Sequence, residues 1–191
     1  MTDNISDIID KFKIKQTRKI YDKITKITTD KLHKVSLTIH QPPVQTQRPR
    51  ATAYGHFYVP NAAKNKKNIR KEVAEQIDLS TFKLIQGMVI LKIKFYIPIP
   101  KSFSLTDKIL AEAKYIRPTV VPDIDNYMKT YMDALTDVVW LDDGQVVESH
   151  AYKYYSIKPR VHITILYSTD TYCSVLNTYA KNKSINHEMK G

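Results

Sequence analysis

The chain has 191 residues, 42% of them apolar and 26% charged, which excludes a wholly disordered polypeptide and leaves room for one domain with tails. Lys and Arg number 30 against 19 Asp and Glu, a formal net charge of +11; that balance favours a polyanionic partner, nucleic acid first, and says nothing of fold. The single cysteine, Cys173, excludes an internal disulfide, no CxxC or Cys/His set offers a zinc ribbon, and a reducing cytoplasm is the expected compartment.

The opening MTDNISDIIDKFK lacks the basic leader and continuous apolar run of a signal peptide. The most apolar stretch, 88–100, is broken by Lys92 and Lys94 and is far shorter than the ~20 residues of a spanning helix, so no membrane partner is expected. Residues 1–34 place Ile5, Ile8, Ile9 and Phe12, then Ile20, Ile24 and Ile27, at helical spacing among lysines. This predicts a basic N-terminal extension, partly helical or disordered.

VSLTIH at 35–40 alternates as a strand and is ended by Pro42 and Pro43. The loop expected over 44–60 mixes Arg48 and Arg50 with Tyr54, Phe57 and Tyr58, a composition that suits sugar–phosphate contacts or, equally, an ordinary loop. From 62 to 78, Ile69, Val73, Ala74 and Ile77 recur at helical spacing, which leaves Lys64, Lys66, Lys67 and Arg70 as a basic outer face. Residues 88–97 alternate as a long central strand whose other face carries Lys92 and Lys94. A short helix over 104–115 follows, capped by Ser104 or Thr106, then a proline-marked loop, a helix from Asp125 to about Val138, and strands at 145–155 and 160–167 expected to form a hairpin. The order predicts an α+β domain over 35–167, with a mixed sheet of about four strands and two main helices on one face. Residues 168–191 read as a polar tail.

Between Pro122 and Glu148 stand Asp123, Asp125, Asp133, Asp137, Asp142, Asp143 and Glu148 against the lone base Lys129, a net −6 that leaves +17 on the rest of the chain. Such a carboxylate island in a basic protein is suited to a divalent cation bridging to phosphodiester oxygens, because Mg²⁺ takes a few carboxylates plus waters and substrate phosphates. Asp123 and Asp125 sit at a helix mouth that favours negative charge, with Lys129 one turn on. The plainer readings are a helix cap for Asp123 and an i,i+4 pair for Asp125 with Lys129, worth ~0.3–0.5 kcal/mol. Against them stands the second acidic pair, of which only one member, Asp142 or Asp143, points toward the first. Asp133 and Asp137 read as surface charges or as pairing partners at the helix C-terminus.

The run PDIDNYMKTYMDAL followed by WLDDGQVVE resembles the signature of the RusA family of Holliday-junction resolvases, found in phages and prophages. The resemblance extends to VSLTIHQPP and KPRVHITILY and so spans about 35–167. It implies Asp123, Asp125 and Asp143 as metal-binding catalytic carboxylates, Lys129 as the base of the site and Asp142 as a supporting neighbour. It further implies a Mg²⁺-dependent homodimer, with Mn²⁺ able to substitute, that nicks symmetry-related strands of four-way or branched DNA in recombination and repair, in the cytoplasm at the nucleoid. The departures are the N-terminal extension, the stretch 101–120 and Val121-Pro122 where some members place arginines. Phosphate grip is expected from Arg48, Arg50, Lys64, Lys66, Lys67, Arg70, Lys92 and Lys94. No acidic-x-Lys follows Pro122-Asp123, the six histidines have no ligand spacing, and an EF-hand's central Gly is missing, which disfavours the other nuclease and calcium motifs. A non-cleaving basic DNA-binding accessory protein is the alternative.

Overall fold

The structure, a computed structural model, describes residues 5–12, 17–29, 32–45, 50–51, 57–58, 61–78 and 81–169. It forms two units, Met1–Leu32 and His33–Gly191. The first holds α1 (Ile5–Lys11) and α2 (Thr17–Thr29), the latter with no acidic residue in its first turn.

The second unit is built on a four-stranded sheet of β1 (His33–Ile39), β4 (Val89–Pro98), β5 (Val146–Ser156) and β6 (Arg160–Tyr167) in the order β1-β6-β4-β5. β6 is antiparallel to both β1 and β4, whereas β4 and β5 are parallel, so the sheet is mixed. The expected α+β class is observed. The expected hairpin between the last two strands is not, because β4 lies between them. The physical reason is burial: Val89, Leu91, Ile93 and Phe95 of β4 are fully buried, which demands an inner position, whereas β5 buries only Tyr155 and Ser156 and takes the edge. Two short strands, β2 (Arg50–Ala51) and β3 (Phe57–Tyr58), pair as a ribbon inside the expected loop.

Helices α3 (Ala62–Ala74) and α5 (Ile124–Leu135) pack on one face. Ile69 and Val73 of α3 and Tyr127, Tyr131 and Leu135 of α5 meet the inward residues of the sheet. Phe95 anchors α5, with its ring 5.0 Å from Tyr127 and 5.5 Å from Tyr131. Burial pushes the Tyr131 phenol well above its ordinary range, and its oxygen accepts from the Val44 amide at 3.3 Å.

The helix α4 (Leu105–Glu112) is capped by Ser104, whose Oγ accepts from the Asp107 amide at 3.1 Å. Its apolar residues Leu105 and Ile109 face solvent and only Ala111 is buried, because α4 packs at the edge strand β5, just beyond which Glu112 accepts from the Ile157 amide at 2.7 Å. Among the described residues no helix is long and apolar enough to cross a membrane.

Candidate active site

Four side chains of the acidic island, Asp133 among them, come together where α5 faces the edge strand. Asp125, Lys129 and Asp143 line one cleft of about 520 Å³, together with Ile124, Met128, Met132, Asp133, Ser149 and Ala151. The helical period explains the α5 contribution. Tyr127, Met128, Tyr131 and Leu135 are drawn into the core, so Asp125 and Lys129, 40° apart at 100° per residue, are left at the border with Asp133 one further turn on. Asp133, read from the pattern as a surface charge, is thus a cleft residue, and its i,i+4 spacing from Lys129 is the signal that marks it.

Asp123 is the N-cap residue of α5, yet its side chain makes no capping hydrogen bond. Among the described residues Asp125 and Lys129 do not form a salt bridge with one another. Neither plain structural role therefore uses these groups. The loop that presents Asp123 is held from β5, where the Lys153 ammonium donates to the Val120 carbonyl at 2.7 Å and the Pro122 carbonyl at 2.8 Å. These carbonyls flank the Val121-Pro122 peptide, which is cis. Ser149, Ala151 and Lys153 alternate on one side of β5, so the same strand floors the cleft and pins its rim.

Asp142 and Asp143 have different work. Asp142 caps the short 3-10 turn Asp143–Gln145, and its Oδ1 accepts from the Gly144 amide at 2.8 Å. A Cβ on Gly144 would stand 3.0 Å from that oxygen, so any larger residue would press on the capping carboxylate. Asp143 points into the cleft, where Thr136 donates its hydroxyl to Oδ1 and the Trp140 indole Nε1 reaches the same atom at 3.3 Å. Beneath them Gln145, 2% exposed, accepts from the amides of Leu141 and Asp142 and donates to the carbonyls of Ile85 and Gly87, all at 2.9 Å. The turn is thereby locked to the core. Trp140 and Gln145 stand in the run WLDDGQVVE, but the run does not say what either does, and Thr136 and Lys153 belong to no motif; each acts through a partner distant in the fold or through a turn.

The cations separate into three groups. Arg48 lies outside the described residues, and Arg50 is on β2. Lys64 and Lys67 are exposed on α3 and Lys66 is half-buried. Arg70 is a correction: instead of standing on an outer basic face, its Nε donates to the Ala134 carbonyl at 2.9 Å and its Nη2 to the Thr136 carbonyl at 2.5 Å. The last carbonyls of α5 lack intrahelical partners and carry the negative end of the helix dipole, so a guanidinium there closes the helix. Lys92 and Lys94 are exposed on the sheet face opposite α3 and α5, away from the cleft.

Among the described residues no three His, Cys, Asp or Glu side chains stand close enough together to hold a metal ion. The donor chemistry nonetheless fits Mg²⁺, which binds through one or two protein carboxylates and takes its other ligands from water and phosphate. Asp125 and Asp143 offer that pair across one cleft; Asp123, two residues before Asp125, is not among the residues that line it, and its carboxylate is unengaged by the helix it caps.

The family profile of Endodeoxyribonuclease RusA matches residues 40–166. The chain is also 38% identical over 136 residues to the uncharacterized protein YqaN of Bacillus subtilis (strain 168), an alignment covering 69% of this chain and 94% of that protein.

Proposed function

The chain belongs to the RusA family of endodeoxyribonucleases, and from that premise we propose that it is a Mg²⁺-dependent endonuclease that resolves four-way or branched DNA by paired nicks. The observation that carries the reading is the single cleft shared by Asp125, Lys129 and Asp143. Asp125 and Asp143, with Asp123 at the rim, would hold the cation, and Mn²⁺ has the oxygen affinity to replace it. The bound ion supplies Lewis-acid polarisation of the phosphate and a water of lowered pKa.

The protein's own residues do the positioning. The Asp143 carboxylate is held in one orientation by Thr136 and Trp140. Lys129, without a carboxylate partner among the described residues, places an ammonium where charge develops on the phosphate oxygens. The lysines of α3 and the arginines of the 44–60 segment add phosphate contacts. A homodimer presents two clefts related by a two-fold axis, which suits the symmetry of a four-way junction. Action on chromosomal or phage DNA places the protein in the cytoplasm.

The test is nick mapping on every strand of labelled four-way junctions, forks and linear duplex with Mg²⁺. Symmetric nicks confined to the junction, lost in EDTA and in Asp125→Asn with binding retained, support the reading. Binding without nicking under all metal conditions leaves a DNA-binding accessory protein instead.

A further inference from the structure

Helices α3 and α5 cover one face of the sheet, and the pleat sends the alternate side chains to the other. There β1 contributes Lys34, β4 contributes Lys92 and Lys94, and β6 contributes Arg160, each in register with its neighbours: Lys92 opposite His150 and Thr164, Lys94 opposite Tyr152 and His162, Tyr96 opposite Tyr154 and Arg160. Tyrosines share the rows of the cations, Tyr152 opposite Lys94 and Tyr96 between Tyr154 and Arg160. Tyr96 and Tyr154 stack at 5.6 Å and Tyr154 and Tyr152 at 6.2 Å. The Arg160 guanidinium lies 3.8 Å from the Tyr96 ring centre, and Arg117, from the loop after α4, lies 4.3 Å from that of Tyr154.

The charge on this face is one-sided. Among the described residues its strands offer a single carboxylate, Glu148, which is engaged with His150 at 2.5 Å, and α4 adds Glu112 at the far end, where it accepts from the Ser156 hydroxyl at 3.2 Å; Lys34, Lys92 and Lys94 have no carboxylate beside them. A cluster of cations without carboxylate partners is electrostatically uncomfortable unless an anion completes it, and flat tyrosine rings held by guanidinium groups give a firm floor for sugar and phosphate. We infer that this sheet face, on the reverse of β5 from the cleft, is a second DNA-binding surface that grips the sugar–phosphate backbone of a duplex segment other than the one being cut.

The inference rests on the proposed action on DNA but assigns residues outside the cleft. DNA is the occupant favoured because the family acts on it and because the contacts offered are cations and rings.

The experiment uses the full chain and a fluorescein-labelled synthetic four-way junction in EDTA, so that nothing is cut. Anisotropy is recorded from low to high salt. The double variant Lys92→Gln/Lys94→Gln should weaken binding and flatten the slope of log K against log salt by about 2, since each phosphate contact contributes about 0.9. Ser36→Lys, an exposed β1 position beside Lys34, should tighten binding and steepen the slope by about 1, a gain that a damaged fold cannot imitate. Wild-type slopes in both variants overturn the inference. A protein that shows the shifts yet never nicks a junction with Mg²⁺ defeats the nuclease reading and leaves this face standing; one that nicks with unshifted slopes does the reverse.

Discussion

The Lys153 ammonium donates to the Pro122 carbonyl at 2.8 Å, one residue before Asp123. A strand at the sheet edge thus fixes the backbone of the loop that delivers the first carboxylate of the motif. Lys153 is a positioning residue, since nothing places it against a reacting atom.

Lys153→Met should therefore leave junction affinity in EDTA at the wild-type value while single-turnover nicking falls about 10- to 100-fold, the usual cost of losing an outer-sphere partner of a metal site. Lys153→Arg, which can still donate to both carbonyls, should recover part of the rate. Equal loss of affinity and rate would show that the lysine holds DNA.

Thr136 joins two systems: its carbonyl accepts from Arg70, and its hydroxyl donates to Asp143. Thr136→Val keeps the shape and removes the donor, so unfolding in urea should show a loss of about 1–3 kcal/mol together with slower nicking. Thr136→Ser should restore both. A stable Thr136→Val protein with full activity would mean that Trp140 alone orients the carboxylate.

Gln145 satisfies two amides and two carbonyls at once. Gln145→Leu fills the space and takes from each of those four groups its bond to the glutamine, which predicts a destabilisation of about 3 kcal/mol in denaturant unfolding. A much smaller loss would indicate that water enters the turn.

His162 is the pH probe of the sheet face. Burial lowers its pKa from 6.5, and Lys94, Arg160 and Lys34 lower it further, while Thr38 Oγ1 stands 3.2 Å from Nδ1. A histidine depressed on folding binds its proton more readily in the unfolded chain, so its contribution to stability is present above pH 6.5 and is lost as the pH falls through the lower native midpoint. NMR titration should place the native midpoint below 6.5 and show it rising in Lys94→Gln. Bound DNA should raise it too, by neutralising the same cations; a midpoint indifferent to both would show that burial acts alone.

Periodicity made most elements legible. The alternation of VSLTIH and of 88–97 reports a buried face directly, and the spacing of Tyr127, Met128, Tyr131 and Leu135 identifies both the helix and its core side. What alternation does not encode is which strand lies beside which, and so β5 and β6 read as a hairpin although β4 separates them. In the site, the spacing of Asp125 and Lys129 survives because one helix holds both. Spacing left Asp142 and Asp143 open and only the family resemblance chose Asp143; the fold shows how it gets there, on a turn capped by Asp142 and locked by Gln145. Arg70 was misread because a lysine-rich helix face looks uniform until one of its members finds the carbonyls of a neighbouring helix end.

The strand order has a kinetic consequence. No two paired strands of the main sheet are joined by a short turn: β4 and β5 follow one another among the strands, yet their closest partners, Val89 and Val146, are separated by α4, α5 and their loops, and β1 must wait for β6. Without a local hairpin to start from, every ladder closes a long loop before it gains a contact, which places the domain among slow, high-contact-order folders. The cleft lies across one of those late junctions, between α5 and β5. A chain still being synthesised carries all its acidic residues up to Glu148 before β5 can dock beside β4 and floor the cleft, so nicking ability arrives with the completed sheet and not before.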